Sequence, residues 1–240
     1  MKEGLSAGSR RSVDMKRSVH RRFALALLLV MAMPPFCSWS TSLAEPHRFA
    51  TVPALAVSFI GGKEIGAVHY IAIQLDRDPD RRGPTILFSE IALGGGSAVG
   101  KDWKQGVRTA VAAAAGALGE DQRNWTVTIK NRSYSSLTEG ASASSAVAVG
   151  IMAAWRGATI RSDVALTGVI TADGRIREVG NLRGKLEGAA LAKMHTLLVP
   201  KGEARTLEWD LYELGRQYNM TVIEVSSLRE AYELMTGQQP

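Results

Sequence analysis

"DVALTGVITADGRIREVGNLRGKLEGAALAKMHTLLVP" runs from Asp163 to Pro200, and the way it divides decides the fold. Asp173-Gly174 is a turn signal, so "DVALTGVIT" and "RIREVG" on either side of it are expected to be short strands. The small and apolar residues from about Lys185 to Lys193 predict a helix, and "TLLVP", stopped by Pro200, predicts another strand. Downstream follow an expected helix from Ala204 to Tyr218, the strand "TVIEV" and a last helix "SLREAYELM". Upstream, "ALAVSFIG" and "AVHYIAIQLD" are expected strands parted by Gly61-Gly62, and "TILFSEIAL" is a third. Lys101 to Leu118 is alanine-rich and predicts a helix, "WTVTIK" (Trp125 to Lys130) a strand. "SSAVAVGIMAAW" (Ser144 to Trp155) is apolar on nearly every side, which predicts a helix buried all round. Strands and helices mix without a strict βαβ repeat, so the expected class is α+β or a mixed-sheet α/β arrangement, with mixed sheets and packed helices in one domain.

The 240 residues carry a formal charge of +6, which would suit an anionic partner. Its distribution argues otherwise. Residues 1–44 hold seven Lys/Arg and two Asp/Glu, leaving 22 basic against 21 acidic residues in the rest. Without its leader the chain is nearly neutral, and nucleic acid is not an expected partner. The leader itself has the parts of an export signal: the basic "RRSVDMKRSVHRR", the apolar "FALALLLVMAMPPF" (Phe23 to Phe36), and the small-x-small "SLA" ending at Ala44. The expected division is a signal peptide at 1–44 and a mature domain at 45–240, exported to the periplasm or secreted by a bacterium. Membrane attachment is expected only if that leader stays uncleaved.

Cys37, the one cysteine, lies inside the leader, so the mature chain would hold no thiol. His47, His69 and His195 stand apart, no paired-ligand spacing occurs, and no metal or cofactor is expected. "GGSAVGKD" (Gly95 to Asp102) has the phosphate-loop spacing but puts Asp102 where a Mg²⁺-binding hydroxyl belongs. It is expected to be a glycine loop with Asp102 capping the helix that follows.

"LTEGASASSAVAVG" (Leu137 to Gly150) is more suggestive. Small residues flanking a serine let a substrate backbone approach, and a helix N-terminus supplies free N–H groups for an oxyanion. The same pattern also suits a serine that only caps the helix. A nucleophilic serine needs a base, and no histidine presents itself. Lysines in apolar settings then come into question, since burial lowers their pKa. Lys185, with Leu186, Ala189 and Ala190 after it, is such a lysine, although a solvated helix lysine has the same pattern. Ser135, Ser136, Ser144 and Ser145 are expected in turns or caps. Arg161, Asp163 and Glu139 are expected in surface ion pairs, and Trp103, Trp125 and Trp155 in packing.

These motifs together resemble the Lon proteases, specifically their Ser-Lys proteolytic domain, over about Ala54 to Leu234. "EGASAS" (Glu139 to Ser144) is similar to the nucleophile motif E-G-D-S-A-S of the archaeal, membrane-type branch and puts Ser142 at the nucleophile position. "DVALTGVITADGRIREVGNLRGKLEGAA" resembles the family's D-V-A-M-T-G-x-I-x-x-x-G-x-V-x-x-V-G-G-x-x-x-K-x-x-A-A and puts Lys185 at the general base. Thr167 falls at the threonine that orients the lysine amine. The separation of 43 positions between Ser142 and Lys185 is the one the family uses. The resemblance implies a fold like the second domain of ribosomal protein S5. It also implies an ATP-independent serine endopeptidase acting on unfolded or extended polypeptides, since the family's ATPase engine has no counterpart in this sequence. Ring assemblies in the family imply a homo-oligomer. Two departures stand out: Ala141 where the family has Asp or Pro, and Asn181 for the second glycine of V-G-G. They leave a different reading, a peptide-binding or assembly module without catalysis.

The implied chemistry sets one requirement. A lysine titrating at about 10.4 would be charged at pH 7, so burial must bring its pKa to roughly 7, at a cost of about 4 kcal/mol.

Overall fold

Two long strands organise the molecule, the first buried on both faces over residues 52–56. The computed structural model describes residues 48–60, 63–91, 98–133, 135 and 137–240, all within one compact unit, Glu45–Pro240. The leader and residues 95–97 of the glycine loop lie outside the described residues.

Strands β1 (Arg48–Ile60) and β2 (Lys63–Arg77) form an antiparallel pair that is the spine of a mixed sheet. Beside β2 lies β5 (Trp125–Arg132), antiparallel to it, and at the edge β3 (Thr85–Phe88), parallel to β5. Beside β1 lie three parallel strands, β7 (Val164–Leu166), β10 (Thr196–Pro200) and β11 (Thr221–Val225). The order is β11-β10-β7-β1-β2-β5-β3. Two small two-stranded sheets complete the set, β4 (Ala98–Val99) with β6 (Leu137–Thr138), and β8 (Val169–Ile170) with β9 (Ile176–Arg177).

Five α-helices are found among the described residues: α1 (Lys101–Leu118), α2 (Ser144–Arg156), α3 (Leu182–Leu191), α4 (Leu211–Gln217) and α5 (Leu228–Thr236). Because successive strand residues face opposite ways, Val52 and Ala54 of β1 join the core with α1, α2 and α5, whereas Leu55 joins a second core with α3 and α4. Helix α2 meets the expectation of all-round burial, every residue from Ser144 to Ala154 being buried. It lies directly on the sheet at Gly150, where a Cβ would come 2.5 Å from Ile73 Cδ1. Trp103 and Trp125 are buried, and Trp155 is half-buried beneath the Arg48 guanidinium, as packing residues should be.

Several expected boundaries shift. "TILFSEIAL" is a strand only through Phe88, and "DVALTGVIT" is two strands broken at Thr167-Gly168. The helix expected from Ala204 starts at Leu211, where the Asp210 carboxylate accepts hydrogen bonds from the Tyr212 and Glu213 amides. The Glu224 carboxylate accepts hydrogen bonds from the Gly202 and Ala204 amides, which holds the preceding stretch as a loop. Asp102 does not cap α1. Gly100 is its N-cap residue, and the Asp102 amide donates to Glu139 Oε1 at 3.3 Å.

Candidate functional site

The break in β7 creates the site. Past Leu166 the chain leaves the sheet, and the Thr167 amide still donates to Leu198 O at 3.1 Å. The next amide turns away and donates to Ser142 O at 2.8 Å, while Gly168 O accepts from Ser145 N at 3.1 Å. This pair of bonds fastens the start of α2 to the end of β7. Only glycine fits at 168, since a Cβ there would lie 2.3 Å from Ile176 Cγ2.

Lysine 185 arrives from the opposite face. Helix α3 can lie on β2 because glycines meet there: a Cβ on Gly188 would be 2.1 Å from Gly66 O, and one on Gly66 would be 1.8 Å from Gly184 O. Its first turn is fixed by Asn181, which takes a left-handed conformation (φ 51°) and accepts a hydrogen bond from Gly184 N at 3.1 Å. Asn181 thus adopts the positive φ and caps the helix as well. Lys185 is 2% exposed, and its Nζ donates to Thr167 Oγ1 at 3.1 Å. The Thr167 hydroxyl, fully buried, donates to Ser142 O at 3.2 Å. The three residues singled out from the sequence therefore meet in one chain of contacts, lysine amine to threonine hydroxyl to the backbone of the serine.

Ser142 is half-buried, and no side chain caps α2, whose N-cap residue is Ala143. Of its neighbours, Ser144 and Ser135 have side-chain hydrogen bonds and Ser145 has none among the described residues. Ser144 Oγ accepts from Ile170 N at 3.0 Å, Ser135 Oγ donates to Leu137 O at 2.8 Å, and Ser145 Oγ is buried. Ser136 lies outside the described residues. Ala141 packs against α1, since a Cβ on Gly106 would lie 3.1 Å from Ala141 Cβ. Arg161 and Asp163 form the expected ion pair at 2.9 Å, and the guanidinium holds the Asp163 carboxyl below the usual carboxylate range. Glu139 instead faces the start of α1, where a Cβ on Gly100 would lie 1.2 Å from its Oε2.

Chemically, a buried amine joined through a threonine hydroxyl to a half-buried serine at a helix start can serve proton abstraction and acyl transfer. His195 is exposed, 3.7 Å from the Asp163 carboxylate. His69, which stood alone in the sequence, is 1% exposed in β2, and burial lowers its pKa from 6.5 to about 4. Asn131 and Thr138, both buried, were missed as well. Their signal was available in the alternation: "AVHYIAIQLD" and "WTVTIKNR" put a polar residue in line with inward apolar ones.

Residues 103–236 match the family model of the Lon protease (S16) C-terminal proteolytic domain. Lon protease 2 of Herpetosiphon aurantiacus is 37% identical over 102 residues, which are 42% of this chain and 12% of that protein. Lon protease of Aquifex aeolicus is 30% identical over 102 residues, 42% of this chain and 13% of that protein. Lon protease 1 of Bacillus subtilis is 34% identical over 95 residues, 40% of this chain and 12% of that protein. The matched region thus spans only 12 to 13% of the length of these relatives. With more than half of its length matched, the chain belongs to the Lon protease (S16) C-terminal proteolytic domain family, a family of serine peptidases.

Proposed function

We propose that this domain hydrolyses peptide bonds in unfolded or extended polypeptides without ATP, with Ser142 as nucleophile, Lys185 as general base and Thr167 as the group that orients the amine. The observation that carries the reading is the buried contact chain from Lys185 Nζ through Thr167 Oγ1 to Ser142 O. An amine removed from water favours its neutral form, which a proton acceptor needs. With one N–H committed to Thr167, rotation of the amine is restricted.

Neutral Lys185 takes the proton of the Ser142 hydroxyl as Oγ forms a bond to the substrate carbonyl carbon. Backbone N–H groups near the start of α2 stabilise the resulting oxyanion. The lysine ammonium gives its proton to the leaving amine as the C–N bond breaks. The neutral lysine then deprotonates water, which attacks the acyl-enzyme carbonyl, and as the C–Oγ bond breaks the lysine ammonium returns its proton to Ser142 Oγ. Closed under this cycle, the site needs neither metal nor nucleotide.

Export is part of the proposal and rests on the leader sequence. Cell fractionation that finds the chain only in the cytoplasm would remove that part. The central test is cleavage of unfolded casein by the purified chain beside Ser142→Ala and Lys185→Met. Turnover lost in both variants, with folding intact, is the expected result. Turnover that survives both overturns the assignment, and a folded wild type without turnover favours a binding module.

A further inference from the structure

On the face of the sheet that meets α2, β5 points Trp125, Val127 and Ile129 inward, all buried. The next inward position is Asn131, paired in register with Ile71. Along β2 the inward residues Leu75, Ile73 and Ile71 are followed by His69. Two neighbouring strands thus exchange apolar for polar side chains at the same end of the sheet. Buried polar side chains cost stability unless they are paired, so their clustering at one place calls for a reason.

What they meet there is the nucleophile segment. Asn131 Nδ2 donates to Thr138 Oγ1 at 2.9 Å, both groups being buried. The Thr138 hydroxyl in turn lies 3.4 Å from Ser133 Oγ, to which it donates. The backbone of Thr138 is also engaged, its carbonyl accepting from Gly100 N at 2.9 Å ahead of α1. Four residues later comes Ser142. The segment Glu139–Ser142 is therefore held at its far end by the Gly168 amide and the Thr167 hydroxyl, and at its near end by Thr138. Asn131 Oδ1 makes no hydrogen bond of ordinary length among the described residues, yet the Asn131 side chain favours a proton on His69 beside it.

We propose that Asn131 and Thr138 are positioning residues that fix the near end of the nucleophile segment and so the direction from which Ser142 meets Lys185. The proposal rests on the reading of Ser142 as nucleophile. A hydrogen bond between a strand side chain and the residue that enters the nucleophile turn transmits the rigidity of the sheet to the turn. An apolar pair at the same two positions would fill the space without fixing the rotation of the segment. The polar pair therefore supplies direction, which packing alone does not.

The test uses the full chain with Asn131→Leu, Thr138→Val, Thr138→Ser and the double variant Asn131→Leu/Thr138→Val. Three quantities are read: the thermal midpoint, kcat and KM on labelled unfolded casein, and amide hydrogen exchange of the 137–143 segment. The double variant should melt above both single variants, because replacing both partners removes the unpaired buried group that each single leaves. It should nevertheless keep kcat at least about tenfold below wild type, since a displacement of about 1 Å can cost a hundredfold. KM should stay unchanged, exchange in the segment should rise, and Thr138→Ser should restore wild-type values. A double variant with wild-type kcat and wild-type exchange overturns the proposal, as does Thr138→Ser behaving like Thr138→Val. If a wild-type chain that folds shows no turnover, the nucleophile reading fails, and the exchange measurement decides by itself whether Asn131 and Thr138 hold the segment.

Discussion

Acid is the perturbation to which the buried imidazole of His69 responds, and its consequence can be worked out in sign and size. The folded protein lowers the pKa of His69 from 6.5 to about 4, chiefly by burial, with Asn131 opposing that shift. Between those values the unfolded chain binds a proton that the folded chain refuses. Stability from this group is therefore present in full above pH 6.5 and is lost as the pH falls toward 4. At 1.36 kcal/mol per pH unit the total is roughly 3 kcal/mol, a large part of what a single domain has. Urea unfolding at pH 7, 5.5 and 4.5 measures it, with His69→Gln as the reference. Carboxylates held low by ion pairs, such as Asp163, titrate in both proteins and cancel in the difference. The wild type should lose about 1.4 kcal/mol more than the variant for each unit below 6.5. Parallel pH profiles would refute the reasoning, because they would mean that the folded and unfolded chains bind the proton equally well.

Thr167→Val removes both the acceptor for Lys185 and the donor to Ser142 O, and turnover should fall roughly a hundredfold while Thr167→Ser keeps most of it, read as kcat on unfolded casein. Gly188→Ala puts a Cβ 2.1 Å from Gly66 O and should cost about 1–3 kcal/mol in denaturant unfolding. Gly116→Ala, with nothing within 4 Å of the added Cβ, should instead gain up to about 1 kcal/mol. Asn181→Ala should lower the thermal midpoint through loss of the cap and strain at positive φ, about 1–2 kcal/mol, whereas Asn181→Gly should cost only a few tenths.

The elements of this fold were legible wherever one physical signal dominated. Periodicity and length located α1 and α2, and the Asp173-Gly174 turn located the hairpin of β8 and β9. The sequence hid whatever depends on partners distant along the chain. Thr167 and Gly168 lie inside an apolar run and look like strand, but Ser142 and Ser145 capture both backbone groups of Gly168. Likewise Ala204 to Asp210 contains helix formers, and long-range bonds to Glu224 keep it irregular. At the candidate site, Lys185 was legible from its apolar setting, whereas Ser142 and Thr167 were singled out by the resemblance to the family's motifs. His69 and Asn131 were passed over because each is a single polar residue at the end of an apolar alternation, and their meeting depends on the register of β2 with β5.

Ser142 hangs from a helix on one face of the sheet and Lys185 from a helix on the other, with Thr167 at the strand end between them. Cutting the chain in the loop after α2, between Gly157 and Arg161, would leave the serine on one fragment and the threonine and lysine on the other. Neither fragment would carry the whole of the proposed reaction centre, and each would expose a half-built core seeking its complement. Recovered turnover would then report reassembly of the two pieces, so this architecture lends itself to a split-enzyme sensor in which proximity, supplied by any fused pair of binders, switches on hydrolysis.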